Sequence, residues 1–435
     1  MSQFRLARLC VMLAAIGLAP ALMTNAFAQK DDKPAAEQKG PSVRPEVFKL
    51  IDPAQIKPLL DAKNFSEVQN RITQAEAIPN LTPYEHYGID RMKLTLGVNS
   101  GNDAVSIPAL ETVISSGFLS GAEKDSFVQA LGNMYYNNKN YPKAIEWFKR
   151  YEKESPTPEK VRAPLIRSYY LSGDYATAKT ELLPVIAASE KAGTAPSQED
   201  LRLLASAATK VKDDATYSAT LDKLIAFYPS DELWTDAIYR GVLRKPGFDA
   251  QANMIEALRL EFAAIKKLDA EAYVELAELA LQAGFPTEAK KAVDAGFAEG
   301  ALGTGSNATK HRQLRERATK GASDDAKNIA SGEASAAKSK NGAGLVNLGW
   351  AYVTMDQFDK GIGFIEQGIA KGGLKQPDDA RLRLGMAQAK AGRKADAIKT
   401  FQGIKAAGGL ADIARYWTIL VNAPAQPAAA AVAGK

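Results

Sequence analysis

Residues 124–156 read KDSFVQALGNMYYNNKNYPKAIEWFKRYEKESP, and the fold follows from this stretch. Asn138-Lys139-Asn140 is a turn signal between two amphipathic segments. Before it, Leu131, Gly132 and Tyr135 lie on one helix. After it, Tyr141, Ala144, Phe148 and Tyr151 recur at spacings of three, four and three, the period of a helix. Pro156 closes the unit. The pattern predicts two antiparallel helices. Gly132 and Ala144 are small enough to let them approach, and Phe148 and Tyr151 fill the space against whatever follows.

The unit recurs. Leu165, Tyr169, Tyr175, Ala178, Leu182 and Val185 repeat it, with Ala178 placed 34 residues after Ala144 and Ile166 replacing the small residue of the first helix. Leu348, Gly349, Tyr352, Phe358, Gly361 and Ile365 form a third copy; Leu384, Gly385, Ala397 and Phe401 form a fourth. In the three copies that carry the glycine, the two small positions are 12 apart: 132 and 144, 349 and 361, 385 and 397. Weaker copies lie around Leu204, Ala205, Leu221 and Leu224, with Tyr217 at the small position, and around Leu276, Ala277, Ala280, Ala289 and Val293. Phe65, Val68 and Ile72 suggest a degenerate start.

Small and large residues alternating on this period resemble the tetratricopeptide repeat. One such hairpin cannot bury its apolar face alone, so neighbours must stack. The resemblance implies an all-α chain, a right-handed α-solenoid of tetratricopeptide-type helical hairpins, with about ten of them in one continuous domain over 46–422. The polar segment from Asn307 to Gly344 is either a loop or a hairpin; Leu314, Ala318, Ala326 and Ile329 favour the hairpin. The last helix, residues 413–420, should cap the stack.

The ends read differently. Arg5 and Arg8 precede an apolar run from Leu9 to Met23, and Ala26-Phe27-Ala28 follows. This is the form of a secretory signal peptide over 1–28, cleaved before Gln29. An uncleaved anchor is the alternative, but the run is short for a span of about 20 residues. Cys10, the only cysteine, follows Leu9 inside the apolar run and does not suit lipid attachment. Residues 29–45 read as a flexible linker and 423–435 as a disordered Ala/Pro tail. The expectation is a periplasmic protein without disulfides and with no transmembrane segment after cleavage.

Loss of Arg5 and Arg8 lowers the net charge from +5 to +3. A balance so close to neutral argues against nucleic acid as a partner. The catalytic motifs are missing. There are two histidines, His86 and His311, with no His-Glu-x-x-His pattern and no cysteine pair to hold a metal. There is no Gly-x-Ser-x-Gly elbow. Gly303-Thr304-Gly305-Ser306 lacks the P-loop lysine. Glu271 and Glu278, seven apart on one helix, share a face and read as exposed acids of a repeat. The basic segment 310–320, with Lys310, Arg312, Arg315 and Arg317 around His311, reads as a solvated helix face offset by Glu316, Asp324 and Asp325. Binding of an acidic partner is its alternative. The sequence therefore calls for no enzyme, no cofactor and no metal.

In the tetratricopeptide repeat the first helix of each hairpin lines a concave groove. Carried onto this chain, the groove positions are Gln129, Asn133, Tyr136 and Asn137, then Arg167 and Tyr170, and near the C-terminus Trp350, Met386 and Lys390. Tyrosines one period apart, flanked by amides and an arginine, suit an extended peptide. The alternative is that Tyr136 and Tyr170 merely pack on neighbouring helices.

Longer phrases carry a second resemblance. They are the run from Glu199 to Leu204, Phe227-Tyr228-Pro229 with Trp234, the run Ala283–Ala289 (AGFPTEA), Gly372-Gly373-Leu374-Lys375-Gln376-Pro377, and Arg415-Tyr416-Trp417. Over most of 120–420 the chain is similar to exported tetratricopeptide proteins associated with TonB energy-transduction systems. That likeness implies periplasmic segments of TonB, ExbB or ExbD as partners and no catalytic residues. The expected function is an interaction scaffold. Scaffolding of envelope or secretion assembly stands as the alternative, followed by a polysaccharide or small-ligand binder and a glycan-cleaving enzyme.

Overall fold

The computed structural model describes residues 41–423. The expected leader 1–28, the linker as far as residue 40 and the tail from residue 424 lie outside the described residues. Within them the chain is all-α, from the helix Pro45–Ile51 to the helix Leu410–Asn422, and no strand occurs among the described residues. The helices pair as antiparallel hairpins that stack on their sequence neighbours. Contacts group the chain into two compact units. One ends at Glu181 and the other begins at Leu182, inside the helix Tyr175–Lys191.

The hairpin turns are built alike. A residue with positive φ ends the first helix, and the next residue caps the second. Lys63, Lys139, Lys212 and Asp356 take this conformation, as do Gly173, Gly284 and Gly392. The side chains of Asn64, Asn140, Asp174 and Asp213 then accept from the backbone N–H three residues on, at 3.0–3.3 Å. These caps satisfy N–H groups that the helix start would leave unpaired. The three turns read from sequence, around Lys139, Gly173 and Gly284, all carry the positive-φ residue, and the first two also carry the side-chain cap.

The small positions act by contact. At Gly132 an added Cβ would lie 2.6 Å from the Phe148 ring. Gly349 and Gly361 meet backbone to backbone: a Cβ on either would lie 2.6 Å from the carbonyl oxygen of the other. In the first unit the core runs through Leu110, Val113, Leu131, Ala144, Phe148, Val161 and Leu165, all nearly inaccessible to water.

In the second unit the regular alternation breaks twice. After the hairpin Gln198–Lys210 and Asp214–Phe227 come the short helix Asp231–Ile238, one π turn at Tyr239–Leu243 and the helix Ala250–Ala264. The second break is the polar segment, where the hairpin expectation fails. One long helix, Ala308–Asn328, is followed by a 3-10 turn at Ile329–Gly332 and the short helix Glu333–Lys338. No turn residue interrupts Ala308–Asn328 early, and His311, Leu314, Ala318 and Ala322 keep one buried stripe along it.

The last helix does more than cap. Phe401 and Trp417 stack with ring centroids 6.0 Å apart, covering the final hairpin as expected. The same helix also packs on Asp214–Phe227 and Ala250–Ala264. Tyr416 meets Trp234 edge-on at 6.2 Å. Lys245 pairs with Asp412 at 2.6 Å, and Arg415 pairs with Asp222. The second unit thus closes its end onto its beginning.

Candidate functional site

The residues expected to line a groove in the first unit come from two neighbouring helices, Gly121–Asn137 and Arg162–Leu171, which touch each other. Gln129, Asn133, Tyr136, Arg167 and Tyr170 are half-buried and Asn137 is exposed. Tyr136 lies edge-on to Tyr141 with centroids 5.8 Å apart. One period later Tyr170 lies edge-on to Tyr175 at 5.1 Å. Each groove tyrosine is therefore steadied by a tyrosine at the start of its own second helix. The hairpin copies an aromatic pair as well as a backbone. Pairs of this geometry add about 0.5–1.5 kcal/mol beyond burial.

Adjacent tyrosines have divided roles. The Tyr135 hydroxyl donates to Glu111 at 2.6 Å, on the helix before. Burial, then this carboxylate, pushes the Tyr135 phenol up to about 12. It is a structural contact, although Tyr135 and Tyr136 are both half-buried.

The C-terminal groove positions require a correction. Trp350 and Met386 are only 1% and 0% exposed, so neither presents an open groove surface. The helix Ala250–Ala264 occupies that side. The Arg259 guanidinium lies over the Trp350 ring at 4.7 Å and within 5.6 Å of Phe285. Arg259 is itself buried and bonds Glu256 at 2.7 Å and Glu288 at 2.6 Å. Arg383 reaches Glu256 at 3.5 Å and Asn347 at 2.9 Å. Trp350 Nε1 donates to Glu288 at 3.3 Å.

Burial opposes the charge on Arg259, but Glu256 and Glu288 outweigh it and raise its pKa. Burial likewise opposes ionisation of Glu288, and Arg259 reverses that, holding the carboxyl below its ordinary value. Asp379, desolvated and facing Glu256, is pushed up to about 6. Sequence reading missed this cluster. Glu256 and Arg259, three apart on a helix, look like an ordinary surface pair.

Lys390 differs from its two neighbours in the expected groove. It keeps surface open to water. It still stands in a concavity crowded by protein, and desolvation holds its ammonium below the ordinary value against the pull of Glu288.

The remaining candidates are placed as follows. His311 is buried, and its Nδ1 accepts from the Gly303 N–H at 3.2 Å. Arg315 pairs with Asp294 at 2.6 Å, and Arg317 pairs with Glu278 at 2.5 Å. Two cations of the basic segment are thus paired with acids of the two preceding helices. His86 is exposed. Among the described residues, no three His, Cys, Asp or Glu side chains gather as a metal site. No described helix is long and apolar enough to cross a membrane.

Residues 98–157 and 346–412 match the family model for the tetratricopeptide repeat. These windows contain the hairpins with Gly132 and Ala144, Gly349 and Gly361, and Gly385 and Ala397. Those two windows carry tetratricopeptide repeats. No curated protein matches it. Among solved structures, it is similar to the TPR2AB domain of yeast Sti1 in complex with pHSP90. There the identity is 15%, with 69% of this chain and 93% of that one covered, at a TM-score of 0.22. It is also similar to Naa15/Naa10 bound to HypK-THB, at 13% identity, with 82% and 57% covered and a TM-score of 0.32. A third is the TPR domain of P58(IPK), at 13% identity, with 86% and 98% covered and a TM-score of 0.21. Global superposition is poor in each case, and none of the three bears on what this chain binds.

Proposed function

We propose that this tetratricopeptide protein is a periplasmic interaction scaffold that holds an extended segment of a partner protein along residues 121–171. The observation that carries the reading is the duplicated pair, Tyr136 on Tyr141 and Tyr170 on Tyr175. Its companions Gln129, Asn133, Asn137 and Arg167 retain surface beside it. Braced aromatic rings offer contact area at low entropic cost, and amides can bond a peptide backbone. The closure of the second unit supports assigning the binding to the first, because Trp350 and Met386 are covered.

Export rests on the Arg5/Arg8, Leu9–Met23 and Ala26-Phe27-Ala28 pattern. The similarity to TonB-associated proteins names the partner within this reading: a periplasmic segment of TonB, ExbB or ExbD. The chain would then assist transfer of inner-membrane energy to outer-membrane transport. A crosslinked pull-down from periplasm and solubilised membranes tests it, with the Tyr136→Ala/Tyr170→Ala variant alongside. Recovery of TonB-system proteins that fades in the variant supports both the partner and the groove. Recovery of other envelope proteins removes the TonB assignment in favour of envelope or secretion assembly. Equal recovery by the variant removes the groove.

A further inference from the structure

Glu256 is 1% exposed, and only one of its two oxygens is satisfied. Oε1 accepts from Arg259 at 2.7 Å and from Arg383 at 3.5 Å. Oε2 is closed to water and has no donor among the described residues. A buried carboxylate oxygen without a donor keeps its desolvation cost in full. Asp379 lies one turn before Arg383 on the helix Pro377–Lys390, so the two share the face that meets Glu256. Asp379 is half-buried and makes no hydrogen bond or ion pair among the described residues. Its neighbour Asp378, by contrast, pairs with Arg381 and accepts from the Lys405 N–H at 3.2 Å.

No nearby cation is left to neutralise Asp379. Arg259 is held by Glu256 and Glu288, and Arg383 by Glu256 and Asn347. The charges acting on Asp379 are Glu256 and Arg259 from the helix Ala250–Ala264, and Arg383 and Asp378 from its own helix. On the other helices packed against Pro377–Lys390 the charged groups are engaged elsewhere or face water. Asp359 pairs with Arg393, Lys360 with Glu333, Asp412 with Lys245 and Arg415 with Asp222, and Lys371 donates to the Ala337 carbonyl. Glu366, Lys394, Asp396 and Lys399 are exposed. Two carboxyls that face each other resist ionising together. A single proton satisfies both: it removes the charge on Asp379 and gives Glu256 Oε2 its missing donor.

We infer that Asp379 and Glu256 hold one proton between them, and that this proton fastens the helix Pro377–Lys390 to the helix Ala250–Ala264. The second unit then carries a closure that tightens in acid. The inference is independent of the proposed peptide surface, because every residue in it lies in the second unit.

The sign of the pH response follows from the environment. Burial, then Glu256, pushes the Asp379 carboxyl from 3.8 up to about 6. A carboxyl with a raised folded value binds its proton more tightly folded than unfolded, so stability from this group rises as pH falls from about 6 to about 4. The test is urea denaturation of the purified full chain at about pH 7.5 and about pH 4.5, followed by tryptophan emission. Trp234, Trp350 and Trp417, three of the four tryptophans, lie in the second unit. Asp379→Asn carries a donor and no charge at either pH. Its midpoint should exceed that of the parent by at least about 0.2 M urea at the higher pH, and the two should meet at the lower. Asp379→Ala removes the charge without supplying a donor, so at the lower pH it should fall below both. Circular dichroism checks that each variant folds. A constant offset between the parent and Asp379→Asn at the two pH values overturns the inference. So does an Asp379→Ala chain that matches Asp379→Asn at the lower pH, since repulsion alone would then account for the effect.

Discussion

Asn253 donates from its side-chain amide to the carbonyl oxygen of Gly408, at 2.8 Å and across 155 residues of sequence. The Asp249 N–H donates to the same oxygen at 3.1 Å. Gly408 and Gly409 both have positive φ, at 76° and 98°, and that turn presents the carbonyl. Beside Lys245–Asp412 and Arg415–Asp222, this bond fastens the last helix to the start of its unit. Asn253→Ala removes one of two donors to a sheltered oxygen and should destabilise the second unit by about 1–2 kcal/mol. Urea denaturation followed by tryptophan emission measures the change. A midpoint equal to that of the parent chain would show that the closure does not depend on this bond.

Arg259→Met should be far more damaging. It leaves Glu256 and Glu288 facing each other without their shared cation, and removing one partner of a buried pair costs about 3–5 kcal/mol. Replacing Arg259, Glu256 and Glu288 together with apolar residues of similar volume should recover much of that loss, since the uncompensated charges go as well. Denaturation midpoints of the single and triple variants decide the matter. A triple variant no more stable than the single one would mean that shape, not charge, holds this centre.

Two glycines on the helix Phe358–Lys371 should respond in opposite directions. A Cβ at Gly361 would lie 2.6 Å from the Gly349 carbonyl oxygen and from a Val353 methyl. Gly361→Ala forces the hairpin apart and should cost about 1–3 kcal/mol. A Cβ at Gly363 meets nothing within 4 Å. Gly363→Ala should stabilise by up to about 1 kcal/mol through helix propensity. Thermal melting of the two variants reads the contrast, and a Gly361→Ala chain that melts like the parent would refute the close approach.

Acid should loosen the start of the first unit. The Glu85 side chain is closed to water and accepts from the Arg44 guanidinium at 2.8 and 3.0 Å, the Arg44 N–H at 2.9 Å and the Thr82 N–H at 2.8 Å. Chiefly through Arg44, and against the desolvation it suffers, its pKa falls from 4.5 to about 2. A carboxyl with a depressed folded value stabilises fully above its unfolded value and loses that contribution as pH falls through the folded one. The contribution should hold above about pH 4.5 and disappear toward about pH 2. Other carboxyls titrate in the same range, so the informative quantity is the difference from Glu85→Gln, in which this loss should be absent. Stability measured from pH 7 to pH 2 on both chains tests it. Parallel curves would count against Arg44 as the anchor.

The hairpins were legible in the sequence because their causes are local. Gly132 sits where Phe148 must pass, 16 residues away, and Lys139-Asn140 carries both the turn and the cap. The spacing of 12 between small positions follows from two helices and one short turn. In the same way Tyr136 and Tyr170 could be placed beside each other's helices from the 34-residue period alone. The polar segment misled because the sequence does not mark where Ala308–Asn328 ends. Its buried stripe of His311, Leu314, Ala318 and Ala322 suits one long helix as well as two short ones.

Sequence by itself determined an all-α repeat chain and its turns, and it proposed residues for the inner side of each hairpin. Tertiary structure decided whether that inner side stays open. Trp350 and Met386 were assigned to the inside, but both are closed to water, and Trp350 lies beneath Arg259, whose partner Glu288 is 29 residues away. Period and spacing encode contacts within a hairpin and between neighbours. They carry no information about a helix that returns from Leu410 to cover Ala250–Ala264, because that return depends on how small rotations accumulate over many stacked hairpins.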